Sequence, residues 1–74
     1  MSIESAILKS LHHKYFKEVS ELYNEVVMMT GSAMSQGTFE RFLRKVCNKF
    51  SSITIKQVPN HKGVLYNTYG REKG

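Results

Sequence analysis

The sequence predicts an α+β fold, three helices followed by a C-terminal two-stranded β-hairpin, and three observations carry that prediction. Between Ile3 and Val27 apolar residues recur at spacings of three and four, with no Gly or Pro to interrupt them. Phe39, Phe42, Leu43, Val46, Cys47 and Phe50 all fall on one helical face. After residue 52 the period changes to two. At 74 residues, 41% hydrophobic and 23% charged, the chain has the composition of one small folded domain spanning residues 1–74. A two-domain enzyme, or a cleft with a covering lid, does not fit in that length.

The first apolar stretch reads as two helices, 3–13 and 17–29. Ser2 is placed to cap the first, with Glu4 in its opening turn favourable to the helix dipole. A single helix over residues 3–29 would be about 40 Å long, longer than the body it must pack on, and His12-His13-Lys14-Tyr15-Phe16 is poor in strong helix formers. The expected core positions on this stretch are Ile3, Ile7, Leu8, Leu11, Tyr15, Val19, Leu22, Tyr23, Val26 and Val27. Met28, Met29 and Met34 surround the Thr30-Gly31-Ser32-Ala33 break and are expected to fill gaps in the core, the alternative being an adaptable apolar contact patch.

The third helix is expected over 36–50, capped by Ser35, with its apolar face inward. Ile53, Ile55 and Gln57 then alternate with Thr54, Lys56 and Val58, a β-branched run typical of a strand. Pro59 to Gly63 supply the turn, Val64 to Tyr69 return, and the hairpin occupies 53–69. Residues 70–74 read as a frayed, charged tail.

Several function classes lose their chemistry at this point. The lone Cys47 has no disulfide or zinc partner, and His12-His13 point about 100° apart on a helix with no third ligand nearby, so no metal or cofactor is expected. No nucleophile–base pair, paired carboxylate or Gly-rich phosphate loop is evident, which argues against an enzyme or a small-molecule substrate. No apolar run approaches the roughly 20 residues of a membrane span, and Met1-Ser2-Ile3-Glu4 does not begin a signal peptide. The expectation is a soluble intracellular protein, cytoplasmic or nucleoid/nuclear, without a membrane partner.

Charge points to a class of partner. The net charge is +5 and the sequence pI about 9.6. Residues 1–30 hold three Lys against four Glu, net −1, whereas residues 31–74 hold eight cations against two Glu, net +6. One half therefore carries the whole excess, as expected of a surface that meets a polyanion. Three helices and a hairpin, with cations on the outward side of the third helix, follow the order of a winged helix-turn-helix domain. A B-DNA major groove about 12 Å wide admits one helix. The expected DNA contacts are Gln36, Thr38, Arg41, Arg44, Lys45, Asn48 and Lys49 on that helix, with Lys56, His61 and Lys62 of the hairpin on the flanking backbone. Base stacking by Tyr66 and Tyr69 is not expected, since their odd separation puts them on opposite strand faces.

Glu21-Leu22-Tyr23, then Gly31, then Ser35-Gln36 with Phe39 and Leu43, resembles the winged-helix modules of archaeal and eukaryotic replication initiators and of some viral primase-helicases. The resemblance covers residues 5–69 and implies that 35–48 is the DNA-reading helix and 60–63 the wing tip. The tip lacks the Arg-Gly-rich sequence common in those initiators, and an accompanying ATPase domain is not expected. A small regulator or a replication or transcription accessory factor is therefore expected. A monomer offers few contacts, so specificity calls for a homodimer or a second protein. The rival reading is a winged-helix interaction module that docks on a polymerase, helicase or other regulator without binding DNA.

Overall fold

Helix α1 (Ile3–Ser10) begins where Ser2 accepts the Ser5 N–H on its hydroxyl oxygen at 3.1 Å, with Glu4 in the first turn. The computed structural model to which it belongs describes residues 1–72. The remaining elements are strand β1 (Lys17–Glu18), helix α2 (Val19–Thr30), helix α3 (Gln36–Lys49) and strands β2 (Ile53–Pro59) and β3 (Leu65–Arg71). The architecture is α+β, with three helices and a three-stranded antiparallel sheet in the order β1-β3-β2.

The sheet corrects the expectation of a two-stranded hairpin. Lys17 and Glu18, expected to open a helix over 17–29, instead pair with Tyr69 and Thr68 on the outer edge of β3. The first helix accordingly stops at Ser10 rather than at residue 13. Lys17 explains both changes: its ammonium donates to the Ser10 carbonyl at 2.7 Å and pairs with Glu25 of α2 at 2.9 Å. One half-buried cation thus satisfies a carbonyl left open at the end of α1 and ties α1, β1 and α2 together. Tyr15, expected in the helical stripe, lies in the connecting loop and is 58% exposed.

The core is a single cluster drawn from all three helices. Ala6 and Ile7 of α1, the adjoining Leu11, Leu22 and Val26 of α2, and Phe39, Leu43 and Val46 of α3 are buried. Tyr23 meets Phe39 edge to face at 5.7 Å and donates its hydroxyl to the Met34 carbonyl at 2.6 Å. Helix α2 ends at Gly31, whose φ of 67° is the left-handed conformation that a side chain disfavours and whose N–H returns to the Val27 carbonyl. Met34 packs against the core as expected. Met28 and Met29 are 83% and 42% exposed instead, although the Met29 sulfur accepts the Ser10 hydroxyl of α1 at 3.4 Å.

Hairpin register fixes which sheet residues face the helices. Ile53, Ile55 and Gln57 lie opposite Arg71, Tyr69 and Asn67, and Ile53 and Tyr69 pack against the core. The alternate pairs Thr54–Gly70, Lys56–Thr68 and Val58–Tyr66 form the outer face. Gly70 is buried there under the Phe16 ring, and a Cβ at this position would lie 2.7–2.8 Å from three of its atoms. Gly70→Ala is therefore expected to displace Phe16 at a cost of about 1–3 kcal/mol in urea denaturation. The loss should shrink in the Phe16→Ala background; equal losses in both backgrounds would contradict the contact.

The expected tail at 70–74 is also revised. Gly70 and Arg71 complete β3, the Arg71 N–H donates to the His12 carbonyl at 3.2 Å, and the Glu72 N–H to Ser52 at 2.8 Å. These residues are held because β3 forms the middle of the sheet. Lys73 and Gly74 lie outside the described residues.

Candidate nucleic-acid interface

Helix α3 presents its cations because its apolar residues are spent on the core. Ser35 caps it, accepting the Thr38 N–H at 3.2 Å and donating its hydroxyl to Thr38 Oγ1 at 3.1 Å. At about 100° per residue, the buried Phe39, Leu43 and Val46 define one side. The opposite side carries Arg41, Arg44 and Asn48 in one row and Arg41, Lys45 and Lys49 in the next, all exposed. Phe42 and Phe50 flank the core half-buried, and the Lys45 and Lys49 ammoniums lie 6.0 and 5.5 Å from their respective ring centres.

Ion pairing separates these cations. Lys49 meets Glu4 of α1 at 3.3 Å, an exposed pair of small energetic consequence. Arg41, Arg44 and Lys45 have no ion pair among the described residues. Glu40, the one acid of α3, turns toward the sheet. With Arg44, Asn48, Cys47, Ile55, Asn67 and Tyr69 it lines a depression of about 350 Å³ between α3 and the hairpin. Gln36 lines a neighbouring depression of about 370 Å³ together with Glu18, Ser20, Glu40 and Tyr66.

The predicted contact residues therefore divide. Arg41, Arg44, Lys45, Asn48 and Lys49 form one continuous face, with Thr38 exposed near the helix start but engaged by its cap. Gln36 sits to one side, in the depression it shares with Glu18 and Glu40. Lys56 is not part of that face. It lies on the outer side of the sheet, with its ammonium 4.4 Å from the centre of the Phe16 ring, whereas Ile55 and Tyr69 face α3. His61 and Lys62 are exposed at the hairpin tip. The tip is firmly closed: the Asn60 side chain accepts N–H groups of Lys62 at 2.8 Å and Val64 at 3.0 Å. Beside those polar residues stand Val64 and Leu65, 61% and 58% exposed, so the tip is half apolar.

Sequence reasoning missed one cluster. In the loop after α1, the His12 ring stacks on His13 at 4.9 Å and on Tyr15 at 4.3 Å, with interplanar angles of 10° and 8°. The Lys14 N–H donates to His12 Nδ1 at 3.0 Å and fixes the turn. Desolvation first, and then the charges of His13, Lys14, Lys17 and Arg71, lower the pKa of His12 below the ordinary histidine value. A helix reading of 3–13 separates these rings; only the loop conformation lets them stack.

Burial pushes the Cys47 thiol up, which keeps it protonated and a poor nucleophile at neutral pH. Among the described residues no three His, Cys, Asp or Glu side chains gather as metal ligands, and no helix is long and apolar enough to cross a membrane. Comparison of the chain with protein-family models, with curated proteins and with solved structures finds no significant match.

Proposed function

We propose that the protein binds double-stranded DNA as a winged helix-turn-helix domain, with α3 in the major groove and the β2–β3 hairpin on the flanking backbone. The observation that carries this reading is the exposed face of Arg41, Arg44, Lys45 and Asn48 opposite the buried side of α3, its three cations free of ion pairs among the described residues. The element order, and a sheet in which the hairpin is joined by β1, support the winged-helix assignment. Arg44 and Asn48 are base-reading candidates because guanidinium and carboxamide groups make bidentate contacts with guanine and adenine edges. Lys45, Lys49 and Lys62 suit phosphates. A small regulator or accessory factor in replication or transcription is the role this supports.

Titration of random-sequence and varied duplexes at two salt concentrations tests the reading. Arg44→Ala is expected to cost about 1–3 kcal/mol and to affect sequences unequally. Lys62→Ala should weaken all sequences alike and lower the salt slope by about one. Uniform losses at Arg44 would remove base reading, and no duplex binding at low salt would remove the whole proposal. The exposed Met28 and Met29 then favour the second reading, docking on a polymerase, helicase or other regulator.

A further inference from the structure

We propose that the loop between α1 and β1 binds an unpaired stretch of nucleic acid, with bases continuing the His13–His12–Tyr15 ring stack and with Lys14 and Arg71 meeting phosphates. The site shares no residue with the α3 face, so either assignment can fail without the other.

The first argument is the placement of the rings. The near-parallel stack stands at the surface: Tyr15 is 58% exposed and His13 is exposed as well. His12 is the middle rung, and the stack terminates in His13 on one side and Tyr15 on the other. Every nucleobase has a π-face, so a base can extend such a stack without sequence preference. Bases inside a duplex are already stacked on each other and present only their edges, which restricts the site to unpaired nucleotides.

The second argument is charge. Lys14 lies between the two outer rings in sequence, and its backbone is fixed by His12. Arg71 is brought to the same loop by its N–H bond to the His12 carbonyl. Neither side chain has an ion pair among the described residues. Lys17 borders the cluster, its ammonium 5.8 Å from the centre of the Tyr15 ring, but it is already engaged by the Ser10 carbonyl and the Glu25 carboxylate and is not counted among the phosphate contacts. Lys56, expected with the hairpin on the flanking backbone, lies on the outer sheet face over the Phe16 ring, which adjoins Tyr15 in sequence. Of the nearby acids, Glu18 accepts from Ser20, while Glu72, next to Arg71 in sequence, is exposed.

The test uses a fluorescently labelled oligothymidylate of about 12 nucleotides, within the span of small single-strand sites, titrated at low salt. The native protein is expected to bind it. His13→Ala and Tyr15→Ala should each weaken binding roughly tenfold, and Tyr15→Phe should retain it, since the ring rather than the hydroxyl stacks. Lys14→Ala and Arg71→Ala should each lower the salt slope by about 0.7. Circular dichroism checks that each variant stays folded, which the exposure of these side chains favours. Absence of binding by the native protein, or native affinity in both ring variants, overturns the proposal. Loss of binding only when Arg41, Arg44 and Lys45 are changed to Glu would assign the single strand to α3 and overturn it too. Persistence of oligothymidylate binding in that triple variant, whatever happens to duplex affinity, supports the separate site.

Discussion

Changing Arg41, Arg44 and Lys45 together to Glu is expected to lower affinity for random duplex by on the order of 1,000-fold at about 50 mM salt, and to flatten the salt slope by about three. The magnitude follows from counterion release. Each phosphate contact contributes a slope near −0.9, so moving from about 1 M to about 50 mM salt is worth a little over tenfold per contact. Three contacts compound to roughly three decades, and reversal of sign adds repulsion. Folding should barely respond, because all three side chains are exposed and without carboxylate partners among the described residues. The cost to the helix is the new repulsion between Glu40 and a Glu at position 44, a few tenths of a kcal/mol by analogy with like charges one turn apart. Fluorescence anisotropy at two salt concentrations, with circular dichroism as the folding control, makes the measurement. Unchanged duplex binding by the folded triple variant would exclude this face as the contact surface.

The second large effect is on the fold itself. Phe39→Ala should destabilise the domain by about 3–5 kcal/mol, the usual consequence of emptying a fully buried aromatic site. Phe39 is 0% exposed, is contributed by the same helix that presents the cations, and carries the edge contact with Tyr23. A domain of this size holds only a few kcal/mol in total, so the variant should be largely unfolded at 25 °C. Urea denaturation and amide-proton dispersion in NMR spectra read the outcome. Phe50→Ala, at a half-buried position, should lose distinctly less. A cooperative transition for Phe39→Ala within about 1 kcal/mol of the native protein would mean that α3 is not anchored as described.

Legibility in the sequence followed the range of the interactions involved. The apolar face of α3 and the alternation of β2 are local patterns, and both elements lie where periodicity placed them, to within one residue at the α3 end and two at the hairpin. Strand β1 has no such signature. Its two residues are strand only because β3, some fifty residues later, offers an edge. The early end of α1 has the same origin, since the carbonyl of Ser10 is answered by a lysine that β1 positions. For the candidate site, α3 spacing sufficed to group Arg41, Arg44, Lys45, Asn48 and Lys49. The alternation of Lys56 with Ile53 and Ile55 likewise places it on the strand face turned away from α3, where the structure has it. The exposure of Met28 and Met29 depends on the tertiary packing around the end of α2, which no local pattern records.

Because β1 ends at Glu18, opposite Thr68, Leu65 to Asn67 of β3 have no strand neighbour on that rim among the described residues. Amides and carbonyls there remain open to a strand from another molecule, next to the apolar Val64, Leu65 and Tyr66. Concentrated preparations should therefore self-associate through this rim, and a charged residue at position 65 should delay the first oligomers seen by light scattering.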